Sequence, residues 1–209
     1  MDKNSYRNVE TINYLRWVAI ILMVIDHAGL WLLDNNPVLR TLGQAAYPIF
    51  GWLIVVGYEN TRNVELYLYR LLILALLSQA PYVLLGMDHM NPIFGLVTGL
   101  IIIMAVNERS IYGIILFGSY LILGIDIYQM IVIVIMYVWR HEQEKMIAIL
   151  MILFVMRGIL INMVAIGAGI SMILITIPGR IRYMIDRLYY YLIYPVHLVV
   201  IYMIRWVMI

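Results

Sequence analysis

The chain has 209 residues, of which 65% are hydrophobic and only 12% are charged, and its formal net charge is +2. A soluble domain is closer to half apolar and a quarter charged, so this chain carries more apolar surface than a soluble fold of this length can bury. No basic cluster indicates a nucleic-acid partner, and the absence of cysteine excludes disulfides and cysteine nucleophiles. We therefore predict an all-α, polytopic membrane protein with a single domain over residues 1–209.

Apolar runs of roughly 20 residues, the length that crosses a bilayer as a helix, follow one another along the chain. Turn signals at 34–37 and the polar segment 140–145 separate them, and the long run 146–177 is expected to divide near Asn162. The predicted transmembrane helices, about nine in number, are 12–33, 43–58, 67–86, 92–106, 110–124, 127–139, two within 146–177, and 188–208.

Lysine and arginine in short loops predict the orientation, because these residues favour the cytoplasmic side. With the N-terminus inside, ten basic residues lie in cytoplasmic segments, and three (Arg40, Arg157 and Arg205) lie in outer ones. This imbalance predicts a cytoplasmic N-terminus. Asp126 and Arg157 fall in predicted outer loops and are given no role.

The first predicted helix carries ionisable groups that are costly in a membrane and so need a partner or a function. Arg16 and His27 are eleven residues apart, which places them about 20° apart around a helix and about 16 Å apart along it. Arginine suits phosphate and histidine is the usual general base, so this face can hold a long ligand with its reacting end at His27. Asp26 is counted with the catalytic group, although its side chain points about 100° away from that of His27. The alternative is that Arg16 extends to the interface and His27 only bonds to another helix.

Two further groups of polar residues are candidates for binding. Arg62 and Arg70 lie on the same predicted side as Arg16 and are candidates for a phosphate-binding rim, with ordinary cytoplasmic anchoring as the alternative. Towards the outer side, Gln79 and Asn91 are candidates for substrate binding. Such amides also serve as hydrogen bonds between helices, and that alternative remains open.

The last predicted helix repeats polar residues at helical spacing. Tyr190, Tyr194 and His197 recur at intervals of four and three, so they share one face of the helix. Pro195 loosens the helix between them. His197 is a candidate catalytic residue and Tyr194 a candidate substrate contact, while packing is the competing interpretation of His197. The sequence contains no spaced histidine and carboxylate set for a metal.

At these residues the sequence resembles the TraX family, which is named for the F-pilin acetylase of conjugative plasmids. The resemblance runs from the first helix to the last. It is carried by the segments 15–27, 43–50, 57–70 and 191–198, and more weakly by 91–94.

The resemblance implies a membrane acetyltransferase of the bacterial cytoplasmic membrane that uses acetyl-CoA and no metal. It also implies that His27 is the catalytic base and Arg16 a coenzyme A contact. Three positions depart from the family pattern: Gln44, Val56 and Gln79 stand where ionisable residues are common. These departures concern the expected specificity for the acceptor more than the expected roles of Arg16 and His27.

Three functions remain open from the sequence. The preferred one is acetyl transfer to the N-terminal amine of a pilin-like peptide, with His197 orienting the acceptor or assisting the leaving thiolate. A second is acetyl transfer to a hydroxyl of a lipid-linked or cell-surface glycan. A third is a non-enzymatic transporter of small anions, although the sequence lacks the internal inverted repeats that are typical of transporters.

Overall fold

The structure is a computed structural model, and it describes residues 8–108, 127–177, 179–183 and 187–208. The described residues form α-helices joined by short connections, with a 3-10 helix at Met163–Gly169. The helices are α1 (Val9–Trp31), α2 (Pro37–Gly43), α3 (Ala46–Asn60), α4 (Val64–Leu84), α5 (Pro92–Glu108), α6 (Ile127–Val138), α7 (Gln143–Leu160), α8 (Ile170–Thr176) and α9 (Arg187–Met208).

Asparagine side chains mark where several of these helices begin. The side-chain oxygens of Asn8, Asn36 and Asn63 accept hydrogen bonds from backbone N–H groups in the first turns of α1, α2 and α4. Asn91 does the same for α5, and Asn162 for the 3-10 helix. These caps satisfy N–H groups that have no partner within the helix, which is a strong requirement near a membrane. The break predicted near Asn162 is confirmed.

Four segments of the described chain are long and apolar enough to cross a membrane: Val9–Trp31, Pro37–Asn60, Val64–Leu84 and Tyr189–Met208. Shorter apolar helices accompany them, and large apolar side chains such as Leu76 on α4 and Ile159 on α7 are exposed. Such surface fits lipid rather than water. For the described residues, the prediction of an all-helical, polytopic membrane protein is confirmed. The predicted number of about nine transmembrane helices stays a prediction.

Some predicted boundaries differ from the structure. The segment 140–145 was expected to be a loop, but α7 already begins at Gln143, where an ion pair between Glu142 and Lys145 supports the first turn. Arg157 was expected in an outer loop and instead lies in the last turn of α7. The predicted helix 110–124 and Asp126 lie outside the described residues.

The N-terminal helices pack through unusually close backbone contacts. A Cβ atom at Gly43 would lie only 2.2 Å from the Cβ of Asp26, so α1 and the end of α2 approach each other at a distance that needs glycine. α3 also packs on α1, and α9 packs against both α1 and α4. This arrangement brings the polar face of α1 opposite the polar face of α9.

Candidate active site

A single cavity of about 890 Å³ follows the polar face of α1. It is lined by Ile12 near the start of that helix and by Trp31 at its end, a separation of about 28 Å along the helix axis. Its volume lies in the range of pockets that bind ligands of drug or cofactor size. The cavity brings together six predicted site residues: Arg16, Asp26, His27, Arg62, Arg70 and Tyr194.

One end of the cavity, here called the arginine end, is formed by Arg16, Arg62 and Arg70. The Arg16 guanidinium lies 5.4 Å from the centre of the Tyr190 ring on α9, and its Nη1 donates to Asn13 Oδ1 at 3.4 Å. Arg16 is half-buried, whereas Arg62 and Arg70 are exposed. Three guanidinium groups on one cavity wall can bind a polyanion such as the phosphates of a nucleotide.

At the other end, the histidine end, His27 lines the cavity and is in direct contact with His197, which is not among the lining residues. Nδ1 of His27 lies 2.6 Å from Nε2 of His197, and the two ring planes differ by only 5°. Both residues are buried, at 6% and 9% exposure. His27 lies four residues before the end of α1, about 6 Å along the axis, so the pair is near the far end of the helix. His197 reaches this contact from α9, whereas His27 lies on α1.

The hydrogen bonds of the pair determine which nitrogens carry protons in its neutral form. Nδ1 of His197 lies 3.0 Å from the carbonyl oxygen of Ile193. Because a carbonyl only accepts, this Nδ1 must carry the hydrogen, and Nε2 of neutral His197 is then an acceptor. Nδ1 of His27 therefore donates to it, which leaves Nε2 of His27 with a free lone pair. His27 is held in the tautomer that a general base needs.

Asp26 is not the partner of His27. Its Oδ2 accepts a hydrogen bond from Nη1 of Arg40 on α2 at 2.5 Å, and both side chains line the cavity. The structure therefore places Asp26 in an ion pair with Arg40 at the wall of the cavity. Sequence reasoning assigned Arg40 to an outer segment and gave it no role. In the sequence, the only sign of a role for Arg40 was its position shortly after the predicted break at 34–37.

Aromatic rings form the wall around the histidine end. Trp31 lies 4.9 Å from the His27 ring centre, and Tyr82 packs edge-on against Trp31 at 6.0 Å. Tyr194 packs edge-on against His27 at 6.0 Å and against His197 at 5.1 Å. These rings hold the imidazoles in fixed orientations and exclude water from them.

Gln79 and Asn91 lie apart from the lining of the cavity. Nδ2 of Asn91 donates to the carbonyl oxygen of Ala75 at 2.8 Å and to Oε1 of Gln79 at 2.9 Å, and Asn91 is only 1% exposed. This cluster joins α4 to the start of α5. Its geometry favours the interhelical hydrogen-bonding interpretation over substrate binding.

A residue that sequence reasoning did not place in the site is Arg157. Its guanidinium lies 3.9 Å from the ring centre of Tyr128, and the side chain lines the cavity. Nothing in the local sequence separates Arg157 from an ordinary basic residue at a helix end. Only the packing of α7 beside α6 brings it to the cavity.

A family model described as TraX protein matches residues 11–205. A curated protein, the probable fimbrial assembly protein FimC, serogroup H1, of Dichelobacter nodosus, is 32% identical over 81 residues. That alignment covers 36% of this chain and 33% of the relative, so the chain spans about a third of that protein. No solved structure matches the chain. Because the family model covers nearly all of the residues, the chain belongs to the TraX family.

Proposed function

We propose that this protein is a multi-pass acetyltransferase of a bacterial cytoplasmic membrane. In this proposal it moves an acetyl group from acetyl-CoA to an acceptor amine, most simply the N-terminus of a pilin-like peptide. The observation that carries the proposal is a continuous cavity that joins three arginines to His27, which is one of a buried histidine pair. Acetyl-CoA is a long anionic thioester. Its binding site therefore requires a phosphate-binding end and a reactive end, separated by the length of the arm that links the phosphates to the thioester.

The orientation belongs to the same proposal. With the N-terminus in the cytoplasm, the start of α1 and the α3–α4 connection face the cytoplasm, and so does the arginine end. Acetyl-CoA then enters at Arg16, Arg62 and Arg70, which hold its phosphates. His27 lies near the opposite end of α1, so the acceptor meets the acetyl group close to the outer surface.

His27 and His197 divide the proton chemistry between them. Nε2 of His27 takes the proton from the acceptor amine as its nitrogen forms a bond to the acetyl carbon. The resulting imidazolium donates through Nδ1 to His197, whose position is held by the Ile193 carbonyl. When the carbon–sulfur bond breaks, His27 returns the proton to the thiolate of coenzyme A. Protons and charges balance, and no metal is needed for this step.

The proposed acceptor is the N-terminal amine of a pilin-like peptide. The match to a protein named for fimbrial assembly supports a pilin-like peptide. The competing acceptor is a hydroxyl of a surface glycan. Mass spectrometry of pilins and surface glycans from a host with and without the gene separates them. Loss of peptide N-terminal acetylation is expected, and loss of only glycan acetylation would contradict the peptide acceptor.

One observation also favours transport: the cavity runs along most of α1, from Ile12 to Trp31. Purified protein in detergent distinguishes the two functions, because an enzyme releases free coenzyme A thiol from acetyl-CoA when an acceptor peptide is present. Thiol release that depends on both the protein and the peptide is expected. Movement of a small anion into vesicles without any acetyl-CoA turnover would favour the transporter instead.

A further inference from the structure

The hydroxyl group of Tyr194 is buried beside the histidine pair without a hydrogen-bond partner among the described residues. The residue is 9% exposed and lines the cavity on the side of α9. Its ring packs edge-on against both His27 and His197, with ring centres 6.0 and 5.1 Å away. The ring that carries this hydroxyl is therefore held against the base.

An unpartnered buried hydroxyl is destabilising, because it has lost its hydrogen bonds to water and gained none in the protein. Phenylalanine would fill the same space and make the same ring contacts without that cost. A tyrosine hydroxyl kept at the wall of a cavity indicates that an occupant of the cavity completes its hydrogen bonding. The occupant at this position needs an acceptor atom, because a phenol is a good donor.

The neighbouring groups determine which atom that is. His27 presents a lone pair at Nε2, so it handles the proton of the attacking nucleophile and cannot donate to the carbonyl in its neutral form. Arg40, the nearest cationic donor to Asp26, is occupied by that carboxylate. Among the aromatic residues around the base, Tyr194 has a buried hydroxyl with no partner among the described residues, so this donor is available to the carbonyl oxygen of the thioester.

Building on the proposed acetyl transfer, we infer that Tyr194 is a catalytic residue that donates a hydrogen bond to the thioester carbonyl oxygen and stabilises the oxyanion. As the acceptor nitrogen bonds to the acetyl carbon, the carbonyl π electrons move to oxygen, and the Tyr194 O–H stabilises that negative charge. The electrons return when the carbon–sulfur bond breaks and the thiolate takes its proton from His27. Tyr194 keeps its own proton throughout.

The direct test is Tyr194→Phe, with Tyr202→Phe as the matched control. Tyr202 lies on the same helix, packs against the core and is not among the cavity-lining residues. Loss of one oxyanion donor lowers kcat by about 100- to 1000-fold, and we expect little change in the KM for acetyl-CoA. The control keeps wild-type kinetics. A Tyr194→Phe enzyme with wild-type kcat overturns the inference.

A spectroscopic measurement tests the same contact without removing the hydroxyl. Fluorotyrosine at position 194 keeps the ring and the fold but is a stronger donor. In bound acetyl-CoA with an isotopically labelled carbonyl, the infrared carbonyl band should move to lower frequency than with ordinary tyrosine. An unchanged band overturns the inference even where Tyr194→Phe does not fold.

The two proposals fail in different ways. Wild-type protein that never releases coenzyme A thiol with any acceptor overturns the acetyl transfer, and the inference about Tyr194 with it. An active wild type with an equally active Tyr194→Phe variant overturns only the role of Tyr194. The acetyltransferase proposal then stands on the histidine pair alone.

Discussion

The two ends of the cavity hold their polar side chains in different ways. At the arginine end, Arg62 and Arg70 are exposed and Arg16 is only half-buried. At the histidine end, His27, His197 and Tyr194 are buried and locked by ring contacts. Mobile cations suit the capture of a charged ligand, whereas fixed groups suit chemistry. The comparison therefore predicts that changes at the arginine end alter binding and changes at the histidine end alter turnover.

The largest effect is expected from His27→Ala. Loss of the general base should lower kcat by about 100- to 10,000-fold, with acetyl-CoA still bound. Thiol release and isothermal titration measure the two quantities separately. His141→Ala, at an exposed position in the α6–α7 connection, is the matched control and should keep full activity. Wild-type turnover by His27→Ala would show that the histidine end does no chemistry.

Substitution of His197 should have a smaller effect. His197→Ala removes the acceptor for the Nδ1 hydrogen of His27, a hydrogen bond to a group that becomes charged. Such bonds contribute about 1.5–3 kcal/mol, or about 10- to 150-fold in rate. His197→Gln offers an amide oxygen at a similar place and should recover part of the activity. If the two variants lose activity equally, the proposed orientation of His27 by His197 is wrong.

At the arginine end, Arg16→Ala should act on binding. Loss of a charge-assisted contact to phosphate should raise the KM for acetyl-CoA by about 10- to 150-fold, with kcat much less affected. Arg182→Ala is the control, because Arg182 is 94% exposed and its contact, with Glu10 at 3.3 Å, lies outside the cavity lining. A fall in kcat at unchanged KM would contradict the division between the two ends.

The smallest catalytic effect is expected away from the cavity, at Asn91. Asn91→Ala removes hydrogen bonds that join α4 to α5 and should lower the free energy of unfolding by roughly 1–3 kcal/mol. Turnover per folded molecule should remain unchanged. Thermal unfolding in detergent and thiol release measure the two effects. A selective rise in the KM for the acceptor would instead return Asn91 to the substrate-binding role that the sequence suggested.

Sequence reasoning was most accurate where the physics is local. The asparagine and proline breaks became helix starts, because capping depends on residues within one turn. Arg16 and His27 were placed on one face of α1, because helix geometry alone fixes that relation. The residues that contact these side chains could not be predicted from local spacing. Asp26 pairs with Arg40 because Gly43 lets two helices approach closely, and no pattern in the sequence encodes that contact.

By itself, the sequence determined that this is a helical membrane protein of the TraX family with a polar face on its first helix. Membership of the family follows from the matching segments along the chain. Composition and spacing suffice for the helices and the polar face, because lipid imposes the same requirements on every spanning helix. Only the tertiary structure decided that His27 meets His197 and that Tyr194 lies beside them. The contact between His27 and His197 joins residues 170 positions apart in the chain, and it depends on how α1 and α9 pack rather than on either helix alone.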